Sequence, residues 1–77
     1  MYRQEISLSS IEMVKKFISI TNAYEFAVNV LSDKYIINGK SIMGIFSLDL
    51  SKPVTVEVEG DCPEQFKKDL EPFIIQK

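Results

Sequence analysis

Chemistry in this 77-residue chain has few side chains to draw on, because it contains no histidine and a single cysteine. Cys62 lies where the sequence predicts a helix start, a position that can lower a thiol pKa, but no imidazole is present to act as its base. A structural role is expected for it. Asp33, Asp49, Asp61 and the glutamates show no paired spacing of the kind a hydrolase needs. No metal site, no cofactor and no catalytic residue are expected, since with no histidine and one cysteine the usual ligands of zinc are too few. Gly39 and Gly44 stand alone, without the spacing of a phosphate-binding loop.

Ser41 is the strongest candidate for modification. It precedes the apolar run Ile42-Met43-Gly44-Ile45-Phe46 and is placed to open a helix. A phosphate there would meet unsatisfied backbone N–H groups and the positive end of the helix dipole. Serine is also a preferred N-cap, and a serine kept for capping alone would look identical in the sequence. The run that follows is apolar on two sides. At about 100° per residue, Ile42, Met43 and Phe46 share one side, while Ile45 and Leu48 fall near the other. A helix lying on a two-layer domain buries one side only. An exposed set of Ile, Met and Phe beside a modifiable serine reads as a protein-docking patch; the alternative is that a long chain segment or a second copy of the domain covers it.

These residues need a frame. Tyr2, Ile6 and Leu8 alternate with polar neighbours, predicting a first strand. Ser9 and Glu12 have capping-box spacing, and Ile11, Val14, Phe17, Ile18 and Thr21 follow at helical intervals to about Asn22. Tyr24, Phe26, Val28 and Val30 share the parity of a second strand, and Tyr35-Ile36-Ile37 returns antiparallel to it. Asn38-Gly39 is a turn leading into the second helix. Pro53 opens a fourth strand with Val54, Val56 and Val58 inward, because proline has no N–H for a ladder. Asp61-Cys62-Pro63-Glu64 predicts a cap with Asp61 as N-cap, and Phe66, Leu70, Phe73 and Ile74 form a buried stripe that Pro72 should tighten or break. The resulting order is β-α-β-β-α-β-α, an α+β domain spanning 1–77.

Composition narrows the function classes. Nine basic against eleven acidic residues give a net charge of −2 with no basic stripe, so neither nucleic acid nor an anionic membrane surface is an expected partner. The lone cysteine and the lack of a long apolar stretch fit a reducing cytoplasm.

The segments Asn38-Gly39-Lys40-Ser41-Ile42-Met43-Gly44-Ile45-Phe46-Ser47-Leu48 and Val54-Thr55-Val56-Glu57-Val58-Glu59-Gly60 resemble the second half of HPr, the histidine-containing phosphocarrier family of the bacterial sugar phosphotransferase system. The resemblance implies an open-faced two-layer sandwich, with a four-stranded antiparallel sheet in order 1-4-2-3 and three helices on one face. It also implies that Ser41 matches the serine phosphorylated by the ATP-dependent HPr kinase/phosphorylase, that Ile45 and Leu48 face the core, and that Lys40, Ile42, Met43 and Phe46 meet a protein partner. At the defining site the chain departs from the family. HPr proteins carry Gly-x-His-x-Arg-Pro where this chain runs Leu8-Ser9-Ser10-Ile11-Glu12, so histidine and arginine are both missing. A serine ester is far more stable than a phosphorus–nitrogen bond, so serine does not replace histidine as a carrier. The expected function is a non-catalytic regulatory or protein-binding module, with a transcriptional regulator of carbon catabolite control as one partner by analogy. The rivals are a phosphocarrier using Ser9, Ser10 or Cys62, and a structural or oligomerising domain.

Overall fold

Four strands whose inward positions are mostly Val and Ile pair into one antiparallel sheet. The computed structural model of the chain describes residues 1–74. Its elements are β1 (Tyr2–Ile6), α1 (Ile11–Asn22), β2 (Val28–Ser32), β3 (Tyr35–Asn38), α2 (Ile42–Phe46), β4 (Val54–Val58) and α3 (Glu64–Leu70), the last followed by a 3₁₀ turn, Glu71–Phe73. The strand order is β1-β4-β2-β3, as the family resemblance implied. Both the order of elements and the α+β class agree with the sequence reading.

Register explains the core. β4 is central, with Val54, Val56 and Val58 opposite Ile6, Gln4 and Tyr2 on β1, and Val56 and Val58 opposite Val30 and Val28 on β2. Alternation sends these valines inward, where they are buried with Ile6, Leu8, Val14, Phe17, Ile45, Phe66, Leu70 and Phe73. Each fully buried large side chain contributes roughly 1.5–3 kcal/mol relative to exposure. The opposite parity carries Arg3 and Glu57, directly across from one another and joined Nε to Oε2 at 2.8 Å.

The helices depart from the sequence reading at their ends. The N-cap of α1 is Ser10, not Ser9; its Oγ accepts from Met13 N at 3.2 Å. Leu8 remains in the core, so Ser9 and Ser10 are both spent crossing from the sheet to the helix layer. Glu12 is thereby one position too early for the capping box, and Ile11, expected in the core, is 62% exposed. Asp61 is likewise not the cap of α3. Pro63 occupies that position in an extended conformation (φ −60°, ψ 145°) with no side-chain cap. The residue before a proline is disfavoured in helical conformation, so Cys62 cannot begin the helix and Asp61 is left outside it.

Tyr24 and Phe26 are not strand residues. Val58, the end of β4, already faces Val28, so the sheet offers Phe26 no partner. Tyr24, Phe26 and Phe66 instead form a mutual aromatic cluster with all three centroid separations at 5.2 Å. Pro72 has the foreseen effect, tightening the chain into the 3₁₀ turn. Beyond it Ser7 N donates to Phe73 O at 2.8 Å and Ile74 bridges Ile6, where Ile74 is half-buried.

Candidate functional site

The segment from Asn38 to Phe46 is held by the end of α1 and the end of β3. Asn38 Oδ1 accepts from Lys40 N at 2.9 Å and its carbonyl accepts from Ser41 N at 3.0 Å, closing a turn. Gly39 is demanded by close approach, since a Cβ there would lie 2.8 Å from Val28 Cγ1 and 3.0 Å from Val28 O. Three bonds clamp this turn to α1 and the loop after it. Buried Thr21 donates through Oγ1 to Gly39 O at 2.8 Å, Asn22 Nδ2 donates to Lys40 O at 3.4 Å, and Lys40 Nζ donates to Tyr24 O at 2.6 Å.

Ser41 is therefore presented on a fixed base. It is half-exposed and caps α2 in extended conformation (φ −98°, ψ 108°), with Oγ accepting from Gly44 N at 3.2 Å and its carbonyl from Ile45 N at 3.0 Å. Gly44 lets the helix sit on β3, because a Cβ would fall 2.7 Å from Ile37 Cγ2. Ile45 is fully buried and Leu48 packs partly against the core, as expected. Met43 is 77% exposed and Phe46 40%. Ile42 differs: it is half-buried and packed against the core. Lys40 also differs from a free surface lysine, its ammonium being tied to a main-chain carbonyl. The exposed apolar set on α2 is thus Met43 and Phe46, with Ile42 and Lys40 at its margin.

The region opening α1 holds Ser9, Ser10 and exposed Ile11, with Ser9 Oγ against Met13 Sδ at 3.5 Å. Helical periodicity alone places Ile11 with Val14 and Ile18, so its exposure is not legible in the spacing. Its position in the first turn, beyond the edge of the core, decides otherwise.

Cys62 is far from both regions in the chain and is half-buried. Burial pushes its thiol pKa up, Lys67 opposes this and Glu64 adds to it, so its surroundings disfavour the reactive thiolate. Among the described residues no group of three or more His, Cys, Asp or Glu could hold a metal ion. No described helix is long and apolar enough to cross a membrane. Among the described residues two open clefts stand out. One, of about 480 Å³, lies between α1 and the 3₁₀ turn over Ile20, Pro72 and Phe73 with Lys15 and Lys16 at its rim; the other, of about 440 Å³, adjoins Tyr2, Cys62 and Lys67.

No family model and no curated protein sequence matches the chain. Solved structures do. The crystal structure of HPr-C-His from Thermoanaerobacter tengcongensis is 28% identical, with a TM-score of 0.77 over 96% of this chain and 91% of that one. A phosphocarrier protein HPr from Bacillus anthracis str. Ames is 25% identical, with a TM-score of 0.70 over 96% of this chain and 94% of that one. With its 1-4-2-3 sheet, its three helices and this near full-length similarity, the chain, which contains no histidine, is an HPr-like protein.

Proposed function

We propose that this chain is a non-catalytic regulatory module related to the sugar phosphotransferase system, which binds a protein partner in the cytoplasm through α2 and is tuned by phosphorylation of Ser41. The observation that carries this reading is the exposure of Met43 and Phe46 immediately after a half-exposed serine whose backbone is clamped in place. A rigid serine suits recognition by a kinase, and a flexible thioether beside an aromatic ring suits an adaptable docking surface. The partners proposed are an HPr kinase/phosphorylase and, for the modified form, a transcriptional regulator.

Phosphoryl relay is not part of this function. The B. anthracis relative is a phosphocarrier, but relay needs a labile phosphorus–nitrogen bond and this chain has no histidine. Of the other acceptors, Ser9 and Ser10 would hold phosphate only as a stable ester, and burial disfavours the thiolate of Cys62.

The test is incubation of the purified protein with ATP and HPr kinase/phosphorylase, followed by intact mass and peptide mapping, with Ser41→Ala as control. Phosphate confined to Ser41 and absent from the variant is the expected result. An unmodified protein would reduce Ser41 to a helix cap and leave the docking surface to be tested alone. Acid-labile phosphate after incubation with enzyme I and phosphoenolpyruvate would overturn the exclusion of relay.

A further inference from the structure

We propose that a second copy of this chain adds to the open edge of β3, joining two four-stranded sheets across a twofold axis at Ile36. The register of β2 against β3 determines which backbone groups are free. Asn29 faces Asn38, Val30 faces Ile37, Leu31 faces Ile36 and Ser32 faces Tyr35. One step further along that register, Gly39 N donates to Val28 O at 2.7 Å. Bonded and non-bonded pairs alternate along an antiparallel ladder, so the Val30–Ile37 and Ser32–Tyr35 pairs are bonded and the Leu31–Ile36 pair is not. The N–H and C=O of Ile36 therefore point away from β2, off the edge of the sheet. The outward carbonyl of Asn38 is already taken by Ser41 N at 3.0 Å, which leaves Ile36 as the residue of β3 with both groups open.

The side chains agree. Tyr35 and Ile36 are 65% and 72% exposed. The strand contains no lysine and no proline, two of the devices that blunt a sheet edge against pairing. Its four-residue length keeps the ladder short, so association belongs to the weak, concentration-dependent class.

A second copy fits this edge because the edge matches itself. Antiparallel pairing about Ile36 sets its N–H against the Ile36 C=O of the other copy, and the reverse. Tyr35 then lies against Ile37 and Lys34 against Asn38, so no like charges oppose one another. A register centred on Lys34 would instead place two ammonium groups face to face. Leu31 and Ile36, paired on the sheet face away from the valine core, meet the same pair of the second copy and make an apolar stripe of four side chains. Hydrogen bonds, charge and apolar surface thus all favour the isologous contact, the commonest kind in homodimers.

The test measures the mass of the full chain by sedimentation equilibrium between about 10 μM and 1 mM, the range of weak complexes, together with amide exchange at Ile36. The expected result is a mass rising from 8.8 kDa toward twice that value, with Ile36 exchange slowing several-fold over the same range. Ile36→Pro removes only an outward N–H, and Tyr35 is already in the extended conformation that a residue before proline adopts, so the β2–β3 ladder survives. That variant should stay at 8.8 kDa at every concentration. Should it fail to fold, Ile36→Lys leaves the backbone intact, sets two ammonium groups across the axis and should abolish association equally. Met43→Lys should leave association unchanged. The proposal is overturned by a monomer at every concentration, by association that survives both Ile36 variants, or by its loss in Met43→Lys. A monomer whose Ile36 amide is protected only when an unrelated extended peptide is added would also overturn it, assigning the edge to that peptide.

Discussion

Ser41 illustrates how one oxygen can serve structure and regulation together. Its Oγ accepts from Gly44 N, so Ser41→Ala should cost about 1 kcal/mol of stability, the usual value of an N-cap, measurable as a lower urea midpoint with an unchanged slope. Gly39→Ala should cost about 1–3 kcal/mol, because the added methyl meets the Val28 main chain, which cannot swing aside. Tyr24 yields a pH prediction. Its hydroxyl donates to Asp69 Oδ2 at 2.7 Å, and this hydrogen bond raises the phenol pKa above its ordinary 10.0, with burial and the Asp69 charge acting in the same direction. A raised folded-state pKa means the contribution is fully present below the unfolded value and is lost as pH rises through the folded one. The stability difference between the parent chain and Tyr24→Phe should therefore be flat below pH 10.0 and shrink above it; chemical denaturation at a series of alkaline pH values checks this.

At the scale of elements, α2 shows what amphipathic spacing can and cannot say. Helical periodicity separated Ile45 from Met43 and Phe46 correctly, because about 100° per residue puts them on different sides. It could not place Ile42, whose burial depends on how closely the helix lies on Ile37, an approach allowed by Gly44. Met43→Lys should change stability by no more than about 0.5 kcal/mol, since Met43 is 77% exposed, and Phe46→Lys by about 1 kcal/mol, since Phe46 is only 40% exposed. Under the proposed function the same changes should weaken partner binding at least tenfold, read by titration calorimetry; undiminished binding would move the docking surface elsewhere. The ends of α1 and α3 were read one and two residues too early for different reasons. Ser9 and Ser10 are equally good caps by type, and only the path of the chain out of the core selects Ser10. Pro63 excludes its predecessor from the helix, and this outweighs the preference of Asp61 for the cap position.

Across the whole molecule, one core joins the inner face of the sheet to α1, α2 and α3, and the radius of gyration of 11.2 Å is close to the roughly 11.5 Å expected for a compact chain of this length. Phe66 links α3 to the Tyr24–Phe26 turn, so Phe66→Ala should cost about 3–5 kcal/mol and loosen both, seen as a large drop in thermal midpoint and faster amide exchange in the turn. In a chain this small such a loss approaches the whole stability. Strand alternation, turn residues and the resemblance from Asn38 to Gly60 were enough to specify element order and sheet class, because period and hydrogen-bonding capacity are local properties of the chain. The absence of histidine needed no structure either. Tertiary contacts alone removed Tyr24 and Phe26 from the sheet, exposed Ile11, half-buried Ile42 and left Ile36 open at an edge. Each of these depends on where a neighbouring element ends, and such information is not contained in the residues themselves.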